Sequence, residues 1–294
     1  MKKILSIITI AIATLLLSGC FESNDLDGAE IYTTVYPITF IAEELYKNHS
    51  TINSIYPSGA DIETYKLTDK QISEYAKADI FIYNGLTEEK QITKDFLNEN
   101  DKLLIIDVAY YDTLEIKYAV EELWLSPNNF LMLAKNTKNL LIEYVNNKYL
   151  IEDIETNYKE LEEKISKMDA ELRSIATTAE KEKKSTTLVV ASNTFKYLEN
   201  YGFNVISLED EENLTENNLN ALKSNFKNNT YNTIIMSNKD ERTDLINTLV
   251  DDYKATTTII DTMTTLSEDN KNNNHDYLSL TQEYISSIRN IILK

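Results

Sequence analysis

One apolar stripe in the middle of the chain constrains the fold more than any other feature. Its residues recur at alternating intervals of three and four, which places them on one face of an α-helix: Ile151, Ile154, Tyr158, Leu161, Ile165, Met168, Leu172 and Ile175. Such spacing also fits a coiled coil, but the stripe is shorter than four heptads. We predict a single helix of about 34 residues, which spans about 50 Å at 1.5 Å per residue.

Short apolar runs alternate with helical patterns on both sides of this stripe. Before it, we predict strands at Glu30–Tyr36, Thr51–Tyr56, Asp79–Tyr83 and Lys102–Val108, with intervening helices that include Ile38–Lys47 and Glu88–Leu97. After it, we predict strands at Thr187–Ala191, Val205–Leu208, Thr233–Met236 and Thr257–Ile260, and a final helix from about Asp276. Strands that alternate with helices form parallel sheets covered on both faces. The expected fold is therefore α/β, with two lobes that each carry a mostly parallel sheet and one long connecting helix.

The first twenty residues predict export. The segment MKKILSIITIAIATLLLSGC begins with two lysines, continues with an apolar run and ends in LSGC. The run is too short for a stable membrane span, and the pattern is that of a signal peptide with a lipobox. Because Cys20 is the only cysteine, we expect no intramolecular disulfide and a lipidated thiol. The alternative is an ordinary signal peptide that happens to contain a cysteine.

These patterns divide the chain into five segments. We expect a signal peptide at 1–19, a lipidated tether at 20–29, an N-terminal α/β lobe at 30–145, the connecting helix at 146–184 and a C-terminal α/β lobe at 185–294. The length that follows the signal peptide suffices for one large domain or for two lobes, each with a core of its own.

Composition excludes several classes of function. The chain carries 48 acidic and 29 basic residues, a net charge of −19, which repels nucleic acid. No GxSxG elbow or phosphate-binding loop is present, and the predicted protein is not an enzyme. The two histidines, His49 and His275, stand in polar contexts and are predicted to be solvated surface residues.

Polar residues follow several of the predicted strands, where open parallel sheets bind ligands. Glu63 lies in the loop after the second strand, and Ser192, Ser237 and Asp261 follow strands of the C-terminal half. Glu122 stands beside the only tryptophan, just before a helix. Each is individually more typical of a turn or helix cap, and Ser192 is a predicted helix N-cap. Their joint placement, with residues from both α/β blocks, favours a ligand site.

Several stretches in this order resemble a known family. They are IYTTVYPITFIAEEL, YPSGADIETYKLTDKQISEYAKADIFIYNGL, ELWLSPNNFLMLAKNT, VVASNTFKYLENYGF and YLSLTQEYISSIRNIIL. Together they resemble the zinc- and manganese-type metal-binding lipoproteins of ABC importers, a family that includes manganese-binding adhesin lipoproteins. The resemblance implies a monomeric receptor, lipid-anchored at the extracytoplasmic face of the cell membrane. It further implies that the receptor carries a divalent metal ion, manganese or zinc, to a membrane permease.

The resemblance also implies a set of metal ligands. The family usually holds its metal with three histidines and one carboxylate. The histidine positions fall on Glu63, Glu122 and Ser192 of this chain, or on Asn193 after a one-residue shift, and the carboxylate is retained as Asp261. The implied site is therefore free of histidine.

An all-oxygen site changes the metal that is preferred, because nitrogen ligands suit zinc and copper whereas oxygen ligands suit manganese, magnesium or calcium. Three carboxylates in one cleft cannot all stay ionised without compensation. A bound cation, a carboxyl with raised pKa or a nearby lysine such as Lys66 can each supply it. The alternatives are an adhesion or interaction lipoprotein that has lost the metal site, and a receptor for another small ligand.

Overall fold

The computed structural model describes residues 26–87, 89–110, 114, 116–210 and 214–294. The predicted signal peptide and the predicted lipidation site at Cys20 lie outside the described residues. Within the part described, no helix is both long enough and apolar enough to cross a membrane.

The N-terminal lobe is built on a four-stranded parallel sheet. Its strands, all confirmed predictions, are β1 (Ala29–Thr33), β2 (Ser50–Ser54), β3 (Ile80–Tyr83) and β4 (Leu104–Asp107), in the spatial order β2-β1-β3-β4. The accompanying helices are α1 (Tyr36–Tyr46), α2 (Asp69–Tyr75) and α3 (Glu89–Glu99). All four residues of β3 are buried, as expected for an inner strand with covered faces.

Three helices follow the first sheet, namely α4 (Glu122–Leu125), α5 (Pro127–Tyr144) and α6 (Lys148–Lys181). Helix α6 has 34 residues and confirms the predicted connecting helix. The side chain of Asn147 caps its first turn by accepting hydrogen bonds from the backbone amides of Tyr149 and Leu150. Helix α6 packs against α1 and α5, and so holds the N-terminal lobe along its length.

The C-terminal lobe repeats the strand order of the first. Its strands are β5 (Thr187–Val190), β6 (Asn204–Ser207), β7 (Thr233–Ser237) and β8 (Thr256–Ile260), all parallel in the order β6-β5-β7-β8. A 3₁₀-helix (Asn193–Tyr201) follows β5, and the α-helices are α7 (Glu216–Lys227), α8 (Asp244–Tyr253), α9 (Glu268–Asn272) and α10 (Tyr277–Leu293). Helix α10 packs against α6. The long helix therefore contacts elements of both lobes.

The apolar core does not divide with the sheets. One cluster of buried residues includes Ile31 on β1, Leu161 on α6, Leu188 on β5 and Ile285 on α10. Two smaller clusters cover the outer face of each sheet, one around Phe81 and the other around residues of β7 and α7. Each lobe thus has a small apolar cluster of its own, and the largest cluster, which includes the apolar stripe of the connecting helix, is shared by both lobes.

Candidate functional site

The loop after β2 brings the N-terminal lobe against the C-terminal lobe. The Ser58 hydroxyl donates to the carbonyl of Leu266 at 2.7 Å, and the Thr265 hydroxyl donates to the carbonyl of Ala60 at 3.2 Å. Asp61 closes the turn that follows by accepting from the Thr64 hydroxyl at 2.8 Å and from the backbone amide of Glu63 at 3.0 Å. Both hydrogen bonds lower the pKa of Asp61, and the bond from Thr64 contributes more.

Of the acids in that loop, Glu63 alone is a candidate ligand, and its side chain is exposed. The loop geometry explains why two acids stand so close together. Asp61 accepts the hydrogen bonds that shape the turn, whereas the side chain of Glu63 is exposed.

Glu122 is the first residue of α4 and is only 3% exposed. Its Oε1 accepts hydrogen bonds from the backbone amides of Lys117 and, at 3.2 Å, of Tyr118. Burial raises the pKa of Glu122, and the two amides oppose that shift. These two hydrogen bonds fix the backbone at Lys117 and Tyr118, in the segment that leads into α4.

Trp124, two residues after Glu122, crosses between the lobes. Its side chain is 1% exposed, and its indole Nε1 donates to the carbonyl of Thr262 at 2.7 Å. The carbonyl of Trp124 accepts a hydrogen bond from the Tyr277 hydroxyl at 2.5 Å. Since Tyr277 begins α10, these contacts tie α4 to two elements of the C-terminal lobe.

Asp261 follows β8 and is engaged on both carboxylate oxygens. Oδ1 accepts from the backbone amide of Met263 at 2.8 Å and from the side-chain amide of Asn238 at 3.2 Å. Oδ2 accepts from the side-chain amide of Asn270 at 2.9 Å. A metal ion at this carboxylate therefore has to compete with three hydrogen bonds.

Ser192 occupies the N-cap position of the 3₁₀-helix, as predicted, but its side chain makes no capping hydrogen bond. Its hydroxyl instead donates to Asp240 Oδ2 at 3.1 Å. The same carboxylate oxygen accepts from the backbone amide of Ser237 at 2.7 Å. Asp240 therefore joins the loops after β5 and β7, two of the strand ends at which the sequence places polar residues.

A lysine of the C-terminal lobe reaches the N-terminal lobe in this region. Lys239 Nζ lies 3.1 Å from Glu121 Oε1, and the two side chains are 35% and 12% exposed. The charge of Lys239 also contributes, as the smallest of the causes, to the lowered pKa of Asp61. A protein cation thus lies among acids of the cleft, and Lys66, the lysine that the sequence offered as an example, lines the same cavity.

No three histidine, cysteine, aspartate or glutamate side chains of the described residues form a group that could hold a metal ion. Glu122, Asp261 and Ser192 instead bond to their own neighbours, and Glu63 is exposed. The ligand set read from the sequence therefore stays a prediction.

A cavity of about 650 Å³ opens beside the loop after β2. Its lining includes Glu63, Glu121 and Lys239, together with side chains of α2 and α3. Glu89, the first residue of α3, is 5% exposed and accepts a hydrogen bond on Oε2 from the backbone amide of Asn84 at 2.9 Å. Burial raises the pKa of Glu89 to about 7.

Sequence reasoning missed Glu89, Glu121, Lys239 and Asp240. The polar run SNKD, which begins at the last residue of β7, was a signal for Lys239 and Asp240, because it stands at a carboxyl end of the sheet. Glu89 carried no such signal, since an acid in the first turn of a helix is ordinarily a solvated partner of the helix dipole.

Known proteins share both the sequence pattern and the fold. The chain is 28% identical over 197 residues to the iron-binding protein YfeA of Yersinia pestis, an alignment that covers 64% of this chain and 62% of YfeA. It is 22% identical over 325 aligned positions to the high-affinity zinc uptake system protein ZnuA of Bacillus subtilis, covering 99% of this chain and 98% of that protein.

Among solved structures, the metal-dependent lipoprotein YcdH of Bacillus subtilis superposes with a TM-score of 0.74 at 20% identity, covering 90% of this chain and 100% of YcdH. Zn(II)-bound AdcA of Streptococcus pneumoniae gives a TM-score of 0.70 at 19% identity, covering 90% of this chain and 58% of AdcA. At these identities the superpositions show the shared fold. The family model described as zinc-uptake complex component A, periplasmic, matches residues 31–291, and the chain belongs to this ZnuA family.

Proposed function

We propose that the protein is the extracytoplasmic, lipid-anchored substrate-binding component of a divalent-metal ABC importer of the zinc and manganese type. The observation that carries the proposal is the family match across residues 31–291. In this proposal Glu63, Glu122 and Asp261 are the metal ligands, with Ser192 as a fourth. The protein is a monomer that delivers its metal to a membrane permease, and it is not an enzyme.

The donor chemistry of this set favours a hard cation. Carboxylate and hydroxyl oxygens suit manganese or calcium better than zinc, whose protein sites are dominated by nitrogen and sulfur. The two carboxylates differ in how their oxygens are engaged. Both backbone amides bound by Glu122 lie on its Oε1 and leave Oε2 for the ion, whereas both oxygens of Asp261 already accept amide hydrogen bonds.

Elemental analysis of the purified protein, followed by thermal melts, tests this function. We expect millimolar manganese to raise the melting temperature over that in chelator, because a ligand at 100 times its Kd stabilises the folded state by about 2.7 kcal/mol. Glu63→Gln removes one ligand charge at an exposed position and should weaken the effect. Glu155→Gln, an exposed change on α6, is the matched control. Absence of any shift with manganese, zinc and calcium refutes the proposal.

A second candidate is an adhesion or interaction lipoprotein on the same scaffold that has lost the metal site. It is favoured by the ion pair between Lys239 and Glu121 and by the three hydrogen bonds on Asp261, which compensate these acids without a metal. Lys239→Met distinguishes the two. In a functional metal site the change removes a competing cation and should tighten manganese binding, whereas in a lost site the variant should bind no more manganese than the wild type.

A further inference from the structure

The cavity beside the loop after β2 is larger than a metal site requires. A metal ion needs several donor atoms converging within about 2.0–2.6 Å, whereas small-molecule sites occupy roughly 300–1,000 Å³. At about 650 Å³, this cavity falls in the range for small organic ligands.

Apolar side chains form a large part of the cavity wall. They come from the loop after β2, from α2 and α3, and from the segment before α4: Tyr56, Ile62, Tyr65, Leu67, Ile72, Ile92 and Val120. Tyr56 and Tyr65 meet edge to face, with ring centroids 6.0 Å apart. Such walls desolvate the carbon skeleton of a ligand, and aromatic faces attract cations.

The charges that line the cavity favour a cation. Four carboxylates, Glu63, Glu89, Asp95 and Glu121, face two lysines, Lys66 and Lys239. One of those lysines, Lys239, is already paired with Glu121 at 3.1 Å.

Glu89 gives the cavity a buried polar anchor. It is 5% exposed, whereas Glu63 and Lys66 are exposed. A carboxylate removed from water in this way is stabilised by a ligand that brings its own positive charge and hydrogen-bond donors. An ammonium group meets both requirements.

We propose that this cavity binds a small organic cation, with an ammonium group directed to Glu89 and an apolar body against the tyrosine and aliphatic wall. The site overlaps the proposed metal site only at Glu63, because neither Glu122 nor Asp261 lines the cavity. Binding of the organic cation is therefore measured without metal.

Calorimetric titration in chelator-containing buffer tests the site with a charge-reversed pair of probes. Hexylamine and hexanoate share a carbon chain and differ in the sign of the head group. We expect hexylamine to bind the wild-type protein and hexanoate not to bind. Glu89→Gln keeps the side-chain shape and should weaken hexylamine binding about tenfold or more. Glu74→Gln, an exposed change on α2 outside the cavity, should leave it unchanged.

Three results overturn the proposal. The first is equal binding of hexanoate and hexylamine. The second is hexylamine binding by Glu89→Gln that is as tight as binding by the wild type. The third is no hexylamine binding at a millimolar concentration in tenfold molar excess over the protein. If Glu89→Gln does not fold, Glu63→Gln provides the second test, since its exposed side chain also lines the cavity and its loss should weaken hexylamine binding. Because no metal is present, failure of the manganese melts leaves this result unaffected.

Discussion

Replacement of Asp261 by asparagine measures how far the hydrogen bonds to this carboxylate stabilise the metal-free protein. Asp261 accepts three hydrogen bonds, from Met263 N, Asn238 Nδ2 and Asn270 Nδ2. Asparagine keeps one acceptor oxygen but places an amide donor against another donor, so one or two charge-assisted bonds are lost. Each contributes about 1.5–3 kcal/mol to stability. Because the side chain is partly exposed, water replaces some of the hydrogen bonding that is lost.

We therefore expect Asp261→Asn to destabilise the protein by about 2 kcal/mol. At roughly 2–4 °C per kcal/mol for chains near this size, the melting temperature should fall by about 4–8 °C. The assay is a thermal melt followed by circular dichroism, with chelator present so that no metal contributes. Asp252→Asn, the same chemical change at an exposed position on α8, is the control and should shift the melting temperature little.

The opposite result would refute the reasoning. If Asp261→Asn were neutral or stabilising without metal, the negative charge would be an uncompensated cost in the folded state.

Three further changes probe the cleft and its surroundings. Burial raises the pKa of Glu89 from 4.5 to about 7. The side chain is protonated in the folded and the unfolded state at low pH, and the folded state loses stability as the pH rises through that interval. Between pH 4 and pH 8, the free energy of unfolding of Glu89→Gln measured in urea should therefore rise by about 3 kcal/mol relative to that of the wild type. Parallel pH profiles of the two proteins would contradict this. Trp124→Phe removes the donor to the Thr262 carbonyl and buried volume, so unfolding in urea should become about 3 kcal/mol easier, and a change within experimental error would argue against the contact. The hydrogen bond that the His49 ring donates to the Asp27 carboxylate is the main cause that raises the pKa of His49. His49→Gln should therefore lower the melting temperature at pH 5.5 but not at pH 9, after the wild-type ring has lost its proton.

The architecture was largely predictable from the sequence because it follows from periodicity. The stripe from Ile154 to Ile175 specifies a helix wherever it packs, and the apolar runs that became β3 and β7 had few alternatives as strands. The shared core was not predictable. Periodicity tells which face of α6 is buried, but it does not tell whether one lobe or two will cover that face.

The candidate site was less predictable, since hydrogen bonding between loops has no sequence period. Ser192 has the residue type of an N-cap, yet its hydroxyl turns to Asp240, which lies 48 residues further along the chain. Lys239 and Glu121 pair across 118 residues. Position at a strand end indicated the region of the cleft, and the partners within it were decided by how the two lobes meet.

The continuous core across both lobes has a consequence for how the protein unfolds. Sheets with independent interiors can melt at separate temperatures, as tethered domains do. Here β1, α6, β5 and α10 contribute to one buried cluster, so neither sheet can lose its packing without exposing apolar surface of the other. Scanning calorimetry should accordingly record a single heat-absorption peak whose van't Hoff enthalpy equals the calorimetric one.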